Sequence, residues 1–131
     1  MLDTNVLISA LLFSNSRMNR MMECILSDHS LVLSSYVVWE LKDVIKRKFP
    51  DKILVIDTML SKMIYEYAYT PEEIDTTMFK IRDTNDYPVL YTAISTNVDI
   101  LITGDNDFEC IEIDRPEIMT PAEFVSIYCD I

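Results

Sequence analysis

Glycine occurs once in this chain of 131 residues, histidine once and tryptophan once. Each scarcity removes a class of function. With a single histidine, His29, flanked by Asp28 and Ser30, histidine-rich metal centres are excluded and a Ser-His-Asp triad is disfavoured. Three cysteines, Cys24, Cys110 and Cys129, are too few and too far apart for a zinc site or a disulfide framework. They read as reduced packing residues. Glycine-rich phosphate-binding loops are absent, because Gly104 stands alone. No apolar run reaches the roughly 18 residues needed to span a bilayer, and the N-terminus lacks the basic flank and cleavage site of a secretory signal. The expectation is a soluble, cytoplasmic protein.

Cations are also scarce. Eleven Lys and Arg face 22 Asp and Glu, a formal charge of -11. Nucleic-acid binders usually show the opposite balance, since neutralising phosphates dominates their affinity. The acidic excess fits a polyanionic partner only if several carboxylates gather around divalent cations that offset their charge. Chemistry in such a chain must rest mainly on carboxylates.

What remains is a well-patterned globular sequence. Half of the residues are hydrophobic, and neither a repeat nor a Pro/Gly/Ser-rich linker interrupts them, so one domain over residues 1–131 is expected. Val6 to Leu12 and Met18 to Leu26 read as helices separated by Ser14-Asn15-Ser16, and Ser30 to Ser34 as a short buried strand. A helix is predicted from Tyr36 to Phe49, capped by Ser34 or Ser35 and ended by Pro50. A second should run from Lys52 to Tyr67. Thr70 to Thr84 reads as a short strand or an extended connection. Asn85 is a candidate cap for a helix carrying Pro88 in its first turn. Asp99 to Asp107 has buried-strand character ending in a turn, and a strand near 113–119 and a helix from Pro121 to Tyr128 close the chain. Apolar strands separated by helices predict an α/β fold with a parallel sheet covered on both faces. In such sheets the ligand site lies at the carboxyl ends of the strands.

Several acids fall near such positions. Asp3 is either the N-cap of the first helix or one wall of a site. Glu40 lies at the edge of the apolar stripe of its helix, and Asp86 falls in or beside the first turn of another, where the helix dipole favours a carboxylate. Asp105 and Asp107 follow the strand Ile100 to Ile102 through Thr103 and Gly104. A lone glycine there suggests positive φ, a close backbone approach, or simply a tight turn. Oxygen donors converging without histidine or thiolate form a hard site suited to Mg²⁺ or Mn²⁺. Two such ions can activate water and stabilise the leaving oxygen in phosphodiester cleavage.

The motifs resemble the PIN-domain family, in particular its toxin components of toxin-antitoxin systems. The resemblance rests on Asp3-Thr4-Asn5-Val6-Leu7, on Ser35 through Glu40-Leu41, on Arg82-Asp83-Thr84-Asn85-Asp86, on Leu101-Ile102-Thr103-Gly104-Asp105-Asn106-Asp107-Phe108 and on Thr120-Pro121-Ala122-Glu123-Phe124. It implies a three-layer α/β/α sandwich with a mainly parallel central sheet and an Mg²⁺- or Mn²⁺-dependent endoribonuclease. It further implies Asp3, Glu40, Asp86 and Asp105 as the catalytic metal-binding acids with Asp107 near them, and Asn5 and Thr103 as the residues orienting those carboxylates. An RNA substrate, an antitoxin protein and a homodimer are the implied partners. The family places several apolar residues before its first aspartate, whereas Met1 and Leu2 supply roughly 7 Å of strand where about 17 Å is average. Either the true start lies upstream of Met1 or the first strand is short and the sheet is weakened at its middle. The alternative function is a protein-binding module derived from such a nuclease that has lost turnover. Asp3-Thr4-Asn5 also faintly resembles the D-x-D-x-T signature of haloacid dehalogenase phosphatases, but with Asn5 in place of the second acid.

Overall fold

The computed structural model describes residues 1–105, 108 and 111–129. Several helices begin where short polar side chains satisfy free N–H groups of a first turn. Asp3 accepts from Val6 N at 2.9 Å and opens α1 (Thr4–Leu12), and Asn15 accepts from Met18 N at 3.0 Å and opens α2 (Ser16–Asp28). Ser34 accepts from Val37 N at 3.1 Å at the start of α3 (Ser35–Lys48), whose last turn carries Lys46, Arg47 and Lys48 against the helix dipole. A 3₁₀ turn over Pro50–Lys52 leads to α4 (Ile53–Lys62). A second 3₁₀ turn, Thr84–Asp86, leads to α5 (Tyr87–Ser95) with Pro88 in its first turn. Thr120 and Glu123 form a reciprocal capping box on α6 (Pro121–Phe124), and a π turn continues over Val125–Cys129.

Among the described residues four short strands complete the α/β architecture, and every pairing between them is parallel. β1 (Val32–Ser34) pairs with β2 (Glu66–Ala68), with Leu33 opposite Tyr67. β3 (Ile100–Ile102) pairs with β4 (Glu117–Met119), with Leu101 opposite Ile118. On the other edge of β3, Leu2 forms a parallel bridge to Ile102. Ile102 N donates to Met1 O at 2.9 Å and Asp3 N to Ile102 O at 3.1 Å. The sheet is thus two pairs, one of them extended by Leu2. Towards the amino ends of the strands, a cavity of about 340 Å³ has Met1 and Leu2 on one wall and Leu31 and Val32 on another.

Leu2, Leu7, Leu33, Val37, Leu41, Ile45, Ile56, Leu90 and Leu101 are fully buried between strands and helices. Each contributes roughly 1.5–3 kcal/mol of transfer free energy. α3 packs against α1, α4 and α5, while α2 packs against α1, α6 and the π turn.

Two local expectations are corrected and two sets of alternatives are narrowed. The helix predicted to reach Tyr67 stops at Lys62, and Glu66–Ala68 is a strand paired with β1, a three-residue element too short to show a period. No strand forms among residues 70–84. Asn85 is not a cap, because Asp83 accepts from Asn85 N at 3.0 Å and Asp86 occupies the cap position of α5. Gly104 has a negative φ, and a Cβ placed on it would meet nothing within 4 Å. The left-handed position among the described residues is instead Asn97, φ 57°, in the turn after α5, where an asparagine is tolerated.

Candidate metal-dependent active site

Parallel strands bring their carboxyl ends to one edge, and the polar residues that follow them collect there. Asp3 follows Leu2, Ser34 ends β1 and Ser35 opens α3, Thr70 lies beyond β2, Thr103 to Asp105 follow β3 and Thr120 follows β4. Tyr36 N donates to Thr70 Oγ1 at 3.3 Å and Thr70 N to Ser35 Oγ at 2.9 Å. Thr92 Oγ1 donates to Thr70 Oγ1 at 2.8 Å. These bonds tie the start of α3 and the middle of α5 to the end of β2.

Asp3 is at the centre of this edge and serves two structural purposes. Its Oδ1 caps α1, and its Oδ2 accepts the hydroxyl of Thr103, whose oxygen in turn accepts from Asp105 N at 3.0 Å. Asp3 is 7 % exposed and Thr103 2 % exposed. Burial pushes the Asp3 carboxyl above the usual range, opposed by the hydrogen bonds from Thr103 and Val6 and reinforced by the negative charges of Asp105 and Glu40.

Glu40, half-buried on α3, accepts a hydrogen bond from the Tyr36 hydroxyl at 3.1 Å, one helical turn back. Burial and the neighbouring carboxylates Glu40, Asp86 and Asp83 push the Tyr36 phenol up to about 12. Tyr36 therefore stays protonated and can donate to Glu40 across the ordinary pH range. It is the residue of this edge that the motifs did not flag; its i-4 spacing from Glu40 was the available signal.

Asp105 and Glu40 each lie within electrostatic reach of Asp3, and Asp86 lies within reach of the Tyr36 phenol that binds Glu40. Thr103 touches Asp3 and the Asp105 backbone directly. Asn5 is exposed and lines a groove with Asp3 and Asp105. Asp107 lies outside the described residues. Among the described residues no three carboxyl, imidazole or thiol groups stand at metal-holding spacing. The donor set is nonetheless all carboxylate and hydroxyl oxygen, with half-buried like charges near the buried Asp3 that a hard divalent cation would relieve.

No curated protein matches the sequence. Among solved structures, a chain of the crystal structure of VapBC2 from Rickettsia felis bound to a DNA fragment from their promoter is similar in fold. The TM-score is 0.70 and the identity 21%, over 91% of this chain and 95% of that one. The PIN domain family profile matches residues 1–107. These residues include the aspartate that caps α1, Glu40 with its tyrosine and the Thr103-Gly104-Asp105 turn, and the chain belongs to the PIN-domain family.

Proposed function

We propose that this chain is a divalent-metal-dependent endoribonuclease that hydrolyses RNA phosphodiester bonds as the toxin of a toxin-antitoxin pair. The observation that carries the reading is Asp3. A carboxylate fixed on both oxygens, with Asp105 and Glu40 adding to the negative potential around it, is a costly arrangement unless a cation is its partner. Family membership and the likeness to a VapBC2 chain support the toxin assignment.

In this proposal Asp3, Glu40, Asp86, Asp105 and Asp107 hold Mg²⁺ or Mn²⁺. When bound, such an ion lowers the pKa of water and stabilises charge on the phosphate and leaving oxygens. The chain's own residues set the geometry. Thr103 fixes the rotamer of Asp3 and the direction of the backbone at Asp105, and Tyr36 holds Glu40 from the far side. Asn5 faces the groove beside Asp3, where its amide can meet a ligand to the same ion. With His29 outside this edge, no imidazole is available for proton transfer, and carboxylates carry that task. An antitoxin protein, a second copy of the chain and the cytoplasm complete the proposed setting. Among the described residues no helix is long and apolar enough to cross a membrane.

The test is cleavage of defined single-stranded RNAs by the wild type, by Asp3→Asn and by Asp86→Asn, in Mg²⁺, in Mn²⁺ and in EDTA. Cleavage should require metal and both carboxylates; cleavage indifferent to EDTA and to both substitutions refutes the proposal. A second reading, a protein-binding module without turnover, draws on the charge of -11 and on the absence of metal-holding spacing among the described acids. It predicts stable complex formation with a partner protein and no metal-dependent cleavage.

A further inference from the structure

A groove of about 400 Å³ begins at Asp3 and Asp105 and runs along α1 to Phe13. Along this side its wall includes Asn5 and Ser9 of α1 and Phe13 at the helix's C-cap, spaced i, i+4 and i+8 and therefore following one face of the helix, with Val6 beside them. At 1.5 Å per residue, Phe13 stands about 12 Å along the axis from Asn5. Asn15 completes the far end. Its Oδ1 is committed to Met18 N, which leaves its NH₂ group to donate. Among the described residues no lysine or arginine lines the groove, so it is not built to neutralise phosphate. Besides the carboxylates of Asp3 and Asp105 at its mouth, its polar side chains are two amides and a hydroxyl, the donors and acceptors that suit a ribose hydroxyl or a base edge. At the end away from the acids, Phe13 is 57 % exposed, and its ring is braced by Phe49 at 5.5 Å and 64°. An aromatic ring held in place and left largely in water is a stacking surface for a base.

We infer that the nucleoside next to the scissile phosphate binds in this groove, with its base stacked on Phe13 and its sugar and base edge contacted by Asn5, Ser9 and Asn15. The inference rests on the ribonuclease reading for the position of the phosphate. The groove opens on the two acids proposed to hold the metal, so a chain cleaved there must pass a neighbouring nucleoside along one of its sides.

Phe13→Leu keeps an apolar side chain against Phe49 but removes the π face, whereas Phe13→Tyr keeps both. With a short single-stranded RNA, Phe13→Leu should raise KM by roughly 5- to 150-fold at unchanged kcat, the range expected for one lost base stack, and Phe13→Tyr should behave as wild type. Replacing the base beside the cleaved bond with an abasic site should cost the wild type a similar factor and cost Phe13→Leu almost nothing further. Unchanged KM in Phe13→Leu, or fully additive effects of the two changes, overturns the inference while leaving the ribonuclease reading intact. If the wild type cleaves no RNA in any metal, that reading fails and the groove is judged by binding alone, using RNA carrying 2-aminopurine. Saturable quenching that is lost in Phe13→Leu supports the groove, and no quenching overturns it. Retained RNA binding with loss of a protein partner in Phe13→Leu also overturns it and assigns the groove to that partner.

Discussion

Thr103→Val is the most direct probe of how the fold holds its central acid. Valine has nearly the same shape as threonine, so the change opens no cavity and removes only the hydroxyl. That hydroxyl makes two buried interactions, donating to Asp3 and accepting from Asp105 N at 3.0 Å. A hydrogen bond to an ionised carboxylate is worth about 1.5–3 kcal/mol and one to a neutral N–H about 0.5–1.5 kcal/mol. Asp3 is 7 % exposed, so little water can replace what is lost. The expected destabilisation is about 2–4 kcal/mol, a large share of the roughly 5–15 kcal/mol that stabilises a typical domain. For 131 residues, 1 kcal/mol corresponds to about 3.5 °C, so Tm should fall by about 7–14 °C. Urea unfolding in metal-free buffer measures it, with Thr103→Ser as the control. Serine keeps the hydroxyl and loses one buried methyl, at about 1 kcal/mol. Thr103→Val at wild-type stability, or Thr103→Ser as damaging as valine, refutes the role assigned to the hydroxyl.

The raised Asp3 carboxyl gives a pH signature. Because the folded state holds that proton more tightly than the unfolded chain, Asp3 lowers stability as pH rises from its unfolded value near ~3.9 through its folded value. Asp3→Asn, which can still cap α1, should therefore gain on the metal-free wild type as pH rises, a difference that closes in acid; a difference independent of pH contradicts the assignment. Saturating Mg²⁺ or Mn²⁺ should reverse the order by stabilising the wild type alone, by about 2.7 kcal/mol at a hundred times Kd, measured as a Tm shift. Tyr36→Phe removes the hydrogen bond to Glu40 and should weaken Mn²⁺ binding by about 10- to 100-fold in calorimetry, with its thermal unfolding little changed. Gly104→Ala should fold with no loss, or gain up to about 1 kcal/mol, since the added Cβ meets nothing within 4 Å. A loss above that magnitude in urea unfolding overturns this expectation.

Local signals in the sequence determined much of this protein. The caps at Asp3, Asn15, Ser34 and Thr120 act over three residues, so the starts of α1, α2, α3 and α6 depend on side chains next to them in the chain. The β3 run Ile100–Ile102 is apolar enough to be a buried strand in any register, and the order of the acidic motifs identified the family. Tertiary structure decided the rest. β2 is only Glu66-Tyr67-Ala68 and became a strand because β1 offered it a parallel edge, a partner 34 residues away that no local period records. Gly104 has neither the positive φ nor the close backbone approach that its rarity suggested, and the left-handed turn fell to Asn97. Asp3 shows the division most clearly. The sequence offered a cap or a site wall, and the fold makes it a cap through one oxygen while turning the other towards Thr103, a residue 100 positions along the chain. A carboxylate has two oxygens, and only packing could give them different partners.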